Sequence, residues 1–208
     1  MQLLFATNNQ GKLTEVRVML ENTGIEVLSL TEAADLLDKD LASIEVKETG
    51  QTFEENALIK ARSYGQITGL LTAADDSGLE IKGLNNFPGV VSARWQAGSD
   101  ADRNRALLEK MAAVKNRKAQ FVTMICLYDP QIKAYKNFRG VVKGKIALEI
   151  KGEGGFGYDP IFIPEGYGHS FAQLGSNIKN QISHRQQALK KMRAYFDEDQ
   201  AIVIPASK

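Results

Sequence analysis

The sequence predicts a mixed α/β fold, a β-sheet flanked by helices. Strand-like and helix-like periodicities alternate through the first half of the chain. In the second half two long strands, 119–128 and 134–145, are expected to follow each other around Asp129-Pro130 as a hairpin. No repeat, linker or low-complexity segment interrupts them. At 208 residues, 43% hydrophobic and 25% charged, the chain can bury one good core and is too polar to live in lipid. Residues 1–208 are therefore expected to form one domain.

The elements follow in order. Residues 2–6 read as a strand and 12–21 as a helix with Leu13, Val16, Met19 and Leu20 on one face. A second strand is expected over 25–30. Thr52 and Glu55 form a capping box, which opens a helix running to about Thr68; its polar face carries Asn56, Lys60 and Ser63 opposite Ala57, Ala61 and Tyr64. A short buried strand over 70–74 ends in the turn-like Asp75-Asp76-Ser77-Gly78, and a new strand starts over 79–84. Ser99 caps a helix to about Val114 that buries Leu107, Leu108 and Met111. The last helix starts at Ser183, with Gln186 completing a second capping box, and buries Leu189, Met192 and Phe196.

Composition narrows the partners. The net charge of +1 offers no global field for nucleic acid, and no basic stripe is interleaved with aromatics. No basic region precedes the first apolar stretch, and the apolar runs fall well short of the ~18 residues a membrane helix needs. Neither export nor membrane insertion is expected. The single cysteine, Cys126, lies in an apolar run and reads as a buried small hydrophobe; a reducing cytoplasm fits.

Anion binding must then come from local clusters. Residues 6–16, Ala-Thr-Asn-Asn-Gln-Gly-Lys-Leu-Thr-Glu-Val, are not a P-loop: Leu13 follows Gly11-Lys12 where a magnesium-binding hydroxyl belongs. Strand, polar turn and helix start nevertheless aim backbone amides and the Lys12 ammonium at one point, which suits an anion as well as a solvated turn. Gly152-Glu-Gly-Gly-Phe-Gly157 matches a dinucleotide fingerprint in letters only, because Tyr158-Asp159-Pro160 forbids the helix that should open there. It reads as a loop presenting Phe156, Tyr158 and Asp159 to a base, or as a turn with a core aromatic. Adjacent Asp75 and Asp76 repel each other unless a divalent cation or a water network compensates, and a solvated turn is the competing reading. Among nearby acids Glu45, Glu48, Glu54 and Glu55, the last is claimed by its cap. Ser183-His184-Arg185 sets two potential cations in the first turn of a helix, where the dipole disfavours them unless an anion or acceptor faces that end. Arg94 is a loop arginine, and His169 reads as a surface residue.

Six motifs in order are more specific than any one of them: Thr7-x-Asn9-x-x-Lys12; Glu48-Thr-Gly50-x-Thr-Phe53-x-Glu-Asn56-Ala-x-x-Lys60-Ala; Asp75-Asp76-Ser77-Gly78-Leu79; Pro88-Gly89-x-x-Ser92-Ala-Arg94; Gly155-Phe-Gly157-Tyr-Asp159-Pro160; and Lys179-Asn-x-x-Ser183-His-Arg185. Together they closely resemble the inosine triphosphate pyrophosphatase family over nearly the whole chain. The resemblance implies an elongated α/β fold of two lobes with a central substrate cleft, magnesium dependence and a homodimer. It also implies hydrolysis of deaminated purine nucleoside triphosphates to monophosphate and pyrophosphate. By motif position Thr7, Asn8, Asn9, Gln10, Gly11 and Lys12 would hold phosphate, with Lys60 beside them. Asp76 would be general base and metal ligand, joined by Asp75 and by Glu48 or Glu45, since Lys47 stands where an acid is common in relatives. Ser77 and Arg94 would contact substrate, and Phe156, Gly157, Tyr158, Asp159, Lys179, His184 and Arg185 would form the base pocket. A pyrophosphatase of other modified nucleotides, or a nucleotide sensor without hydrolysis, are the competing functions.

Overall fold

The computed structural model describes residues 1–41 and 43–203, with side chains for 1–41 and 43–198. Strand β1 (Gln2–Phe5) leads through α1 (Gln10–Met19) to β2 (Glu26–Leu28), and helices α2 (Leu30–Leu37) and α3 (Phe53–Thr68) lead on to β3 (Leu71–Ile81). β1 pairs in parallel with both β2 and β3, Leu3 standing opposite Val27 on one side and Leu71 on the other. Parallel neighbours need helical crossovers, which these helices supply. The short β4 (Phe87–Pro88) pairs antiparallel with the end of β3, and α4 (Asp100–Lys110) follows. The hairpin expected around Asp129-Pro130 is formed by β5 (Lys118–Asp129) and β6 (Ala134–Ile146). β7 (Phe162–Pro164) pairs antiparallel with β6, and α5 (Phe171–Ile182) and α6 (His184–Val203) close the described chain. The sheet order is β2-β1-β3-β5-β6-β7, with β4 on β3. This is the mixed sheet with flanking helices that the sequence predicts.

The chain forms two compact units. The first comprises residues 1–76, 124–139 and 188–208; the second comprises 77–123 and 140–187. The core of the first is built by Leu3, Phe5, Leu13, Val16, Ile125, Leu127, Leu189, Met192 and Phe196. Leu79, Ile81, Leu107, Met111, Phe121, Ile161, Phe162 and Phe171 build that of the second. The apolar faces expected for α1, α3, α4 and α6 are the buried ones, with Met19 and Leu108 packed at the margins. Cys126 is buried, and burial pushes its thiol up to about 12. Among the described residues no helix is long and apolar enough to cross a membrane.

Five local expectations are corrected. Asp75-Asp76-Ser77-Gly78 is no turn: β3 runs unbroken through it and stops at Ile81, where a short 3₁₀ turn takes Lys82–Leu84. The carboxylates tolerate a strand because each has a protein partner, described below. The strand expected over 25–30 ends at Leu28, since Ser29 and Glu32 form a capping box that starts α2. The helix after Ser99 ends at Lys110 rather than Val114. Helix α5 was not expected; Ser170 and Gln173 cap it reciprocally, and Gly175 kinks it at φ +76. At the next junction the Ser183 hydroxyl accepts from Gln186 N–H at 3.2 Å, but its own N–H closes α5 on Lys179 O, so only half of the expected box forms.

Candidate active site

In the first unit the loop after β1 is shaped by its own side chains. Thr7 Oγ1 accepts from Asn9 N–H at 3.2 Å, and Asn9 Oδ1 accepts from Lys12 N–H at 3.1 Å, making Asn9 the N-cap of α1. The helix therefore opens two residues earlier than its apolar stripe suggests. Asn8, Gln10 and Gly11 are exposed at this end. Lys12, one turn in, reaches both carboxylate oxygens of Asp75, at 3.0 and 2.8 Å. Asp75 is 1% exposed, so this charge-assisted pair offsets a desolvation cost of several kcal/mol.

Helix α3 supplies the other half of the cluster. The capping box opens it as expected, Glu55 accepting from Gln51 and Thr52 N–H and so being spent on the turn. One turn later Lys60 Nζ pairs with Glu48 Oε1 at 2.6 Å. Burial works to lower the Lys60 pKa, but Asp75, Glu48 and Asp76 outweigh it and hold the ammonium above its ordinary value. Glu48 is thus inside the cluster, whereas Glu45 is exposed. Asp76 is buried, and its Oδ2 accepts from Asn56 Nδ2 at 3.0 Å. Desolvation raises its pKa; Asn56 and Lys60 oppose that, while Glu48 and Asp75 add to it.

The second unit holds an aromatic and basic cluster. Phe156 is exposed on the glycine loop, and Lys179 Nζ lies 3.9 Å from its ring centroid. The same ammonium pairs with buried Asp159, whose Oδ2 also accepts from Phe156 N–H at 3.0 Å. Gly155, at φ +78, has to be glycine, because a Cβ would stand 2.2 Å from Asp159 Oδ2. No helix opens at Gly157; a 3₁₀ turn spans Asp159–Ile161, and the dinucleotide reading stays rejected. Tyr158 is buried and donates its hydroxyl to Ser92 O at 2.6 Å while accepting from Trp95 Nε1–H, so its ring supports the loop from below. His184 and Arg185 are buried too, the imidazole stacked on Phe121 at 4.8 Å and 10°. Ser77 Oγ shares a 2.8 Å hydrogen bond with Thr123, Arg94 is exposed, and His169 is on the surface as expected.

Comparison with known proteins identifies the lineage. The model of the Ham1 family matches residues 3–195. The chain belongs to the Ham1 family. This bears out the resemblance read from the six motifs. The Ham1 chain is 45% identical over 192 residues to a dITP/XTP pyrophosphatase of Symbiobacterium thermophilum, covering 91% of this chain and 92% of that one. It is 45% identical over 198 residues to a dITP/XTP pyrophosphatase of Porphyromonas gingivalis, covering 94% and 97%. A HAM1 protein from Coxiella burnetii superposes with a TM-score of 0.87 at 38% identity, covering 95% and 99%. The Ham1 protein of Staphylococcus aureus gives 0.86 at 37%, covering 96% and 100%.

The donor set of this chain suits a hard divalent cation. Among the described residues no three histidine, cysteine or acidic groups stand together as a ready-made cage. Magnesium does not require one: it takes a carboxylate or two and keeps waters and substrate phosphates. Around Lys12 and Lys60 the buried or half-buried carboxylates Glu48, Asp75 and Asp76 outnumber the ammonium groups, and all donors are oxygen. Extra negative charge with oxygen ligands is what a hard divalent cation complements.

Sequence reasoning missed four side chains that touch these clusters: Asn56, Trp95, Asp100 and Asn104. Asn56 was expected on a polar helix face and is instead fully buried. Asp100 Oδ2 accepts from Gly157 N–H at 2.6 Å, and Asn104 Nδ2 donates to Gly157 O at 2.9 Å. Asn56 carried a signal, standing in the second of the six motifs four residues before Lys60; Asp100 and Asn104 had only their position, a turn apart on one helix.

Proposed function

We propose that this chain hydrolyses deaminated purine nucleoside triphosphates, ITP, dITP and XTP, to the monophosphate and pyrophosphate, residues 1–208 working as one pyrophosphatase domain. The observation that carries the reading is the interleaving of Lys12 and Lys60 with Glu48, Asp75 and Asp76 in one desolvated cluster. The naming of close relatives as dITP/XTP pyrophosphatases supports the substrate class.

A triphosphate near neutral pH carries about four negative charges that repel a nucleophile. Lys12 and Lys60, with the amides of residues 7–11 at the start of α1, neutralise the tail and the charge that collects on the leaving pyrophosphate. Asp76 orients a water and takes its proton as the oxygen attacks the α-phosphorus; the α–β bridging bond breaks and its electron pair leaves with pyrophosphate. Asp75, Asp76 and Glu48 would hold Mg²⁺, which when bound acidifies the attacking water and screens the phosphates. Ser77 and Arg94 contact the substrate.

The base belongs to the second cluster. Phe156 offers an exposed ring for stacking, and Gly157, Tyr158 and Asp159 frame it. Hypoxanthine and xanthine present an acceptor oxygen at position 6, adenine an amino donor. Lys179, His184 and Arg185 are donors that satisfy the oxygen and leave adenine's amino group facing other donors. Such mismatches discriminate by factors on the order of 10⁴.

Turnover of ITP, XTP, GTP and ATP, with and without Mg²⁺ and with pyrophosphate detection, tests the reading. ITP and XTP are expected to release pyrophosphate only with the metal; equal rates on ATP would reject the donor pocket, and binding without release would indicate a sensor. Asp76→Asn is expected to cost about 10²–10⁴-fold in kcat with little change in nucleotide affinity. A homodimer and a cytoplasmic setting complete the proposal, the first checked by sedimentation and the second by fractionation.

A further inference from the structure

Asn56 spends both ends of its amide inside the protein. Its side chain is fully buried in the first turns of α3; Oδ1 accepts from Gly50 N–H at 2.8 Å and Nδ2 donates to Asp76 Oδ2 at 3.0 Å. The orientation of the amide is dictated rather than chosen. A backbone N–H can only donate, so the amide oxygen must face Gly50, and that turns the NH₂ toward the carboxylate. Gly50 in turn has to be glycine: a Cβ there would come 2.6 Å from Glu55 Cβ and 2.8 Å from Asn56 Oδ1. The capping turn of α3 therefore presses a backbone donor onto Asn56, and Asn56 passes a donor on to Asp76.

We propose that Asn56 is a positioning residue for pyrophosphate release: it fixes the Asp76 carboxylate in the orientation from which it acts on the water. This rests on Asp76 being the base. The bland alternative is that Asn56 merely ties α3 to the segment before it. The two differ in which end of the amide matters, since Oδ1 serves the tie and Nδ2 serves Asp76.

Asn56→Asp separates them, because it keeps size, shape and the acceptor for Gly50 while turning the donor facing Asp76 into a second acceptor. With the full chain, Mg²⁺ and ITP, kcat is expected to fall at least about tenfold while KM changes less than about threefold, as for loss of an interaction acting on the transition state. Asn56→Ser, small and neutral, should show the same split and serves if the aspartate variant fails to fold. On an Asp76→Asn background either substitution should remove little further turnover, because a residue acting through Asp76 has nothing left to position. Wild-type kcat in Asn56→Asp, a loss confined to KM, or a full additional loss on the Asp76→Asn background would each overturn the proposal. Wild-type turnover in Asp76→Asn alone would instead reject the role of Asp76, and so fails differently.

Discussion

Asp75 is a charge that its surroundings would not tolerate alone. At 1% exposure it is paired with Lys12, whose ammonium covers both oxygens, and Lys60 is a second cation nearby. Lys12→Met keeps the apolar stem and removes the charge, so a buried carboxylate loses its nearest donor. The expected cost is about 1–3 kcal/mol of stability, together with weaker triphosphate binding. Urea unfolding of the metal-free protein measures the first; an unchanged midpoint would mean that Lys60 alone neutralises the site. Lys12, Asp75 and Asp76 stood out in the sequence as charges that are costly to bury, and Lys60 only through its motif position; the structure brings the four together. Asn56 was not legible, because an amide on a helix reads as solvent-facing, and only the approach of Gly50 and Asp76 explains its burial. Glu48 was legible only as one of two acids; its ion pair with Lys60 singles it out.

At the scale of elements, the first turns of α4 grip the loop that carries Phe156. Asp100 takes the N–H of Gly157 and Asn104 holds its carbonyl, so the two peptide units that flank the Gly157 Cα are both fixed. Burial raises the Asp100 pKa, but the Gly157 N–H and the Arg103 guanidinium more than offset it, leaving the carboxyl below its ordinary range. A carboxyl lowered on folding contributes stability that is fully present above its unfolded value, about 3.9. That contribution is lost as pH falls through the lower folded value. Asp100→Asn should therefore flatten the acid limb of stability against pH below about 4; denaturation curves that stay parallel to the parent's across that range would reject the clamp. Asn104→Ala should raise KM for ITP about three- to tenfold with a smaller effect on kcat, because it loosens the stacking loop and leaves the phosphate cluster alone. An unchanged KM would show that α4 does not hold that loop for substrate. Elements were read well where a cap and a stripe coincide, as at Thr52 and Ser99. They were missed at α2 and α5, although Ser29-x-x-Glu32 and Ser170-x-x-Gln173 carry the same capping signal and Leu30, Ala33 and Leu37, or Phe171, Leu174 and Ile178, follow in register: the strand expected over 25–30 overran the first cap, and Gly175 interrupts the second helix. The break expected at Asp75–Gly78 failed for a different reason: turn propensity describes solvated aspartates, and these two are paired with Lys12 and Asn56.

At the scale of the whole molecule, alternating elements and the hairpin made the fold class legible. The sheet order did not follow from them, since β3 finds β1 and β5 across long stretches of chain. The boundaries of the two compact units fall inside β3, β5 and β6, so each of these strands enters both cores: Ala73 belongs to the first and Leu79 to the second on β3, Ile125 and Phe121 likewise on β5, and Phe138 and Val142 on β6. Unfolding either core strips half of a strand on which the other core is built. The two cores are therefore expected to melt together, although each has its own apolar cluster. Leu189→Ala empties space in the first and Leu107→Ala in the second, both side chains being fully buried. Each should cost about 2–5 kcal/mol, and each should shift one shared transition. Calorimetric and van't Hoff enthalpies that agree in both variants would support this cooperativity. Two resolved transitions, with Leu107→Ala lowering only one of them, would show that strand continuity does not couple the units.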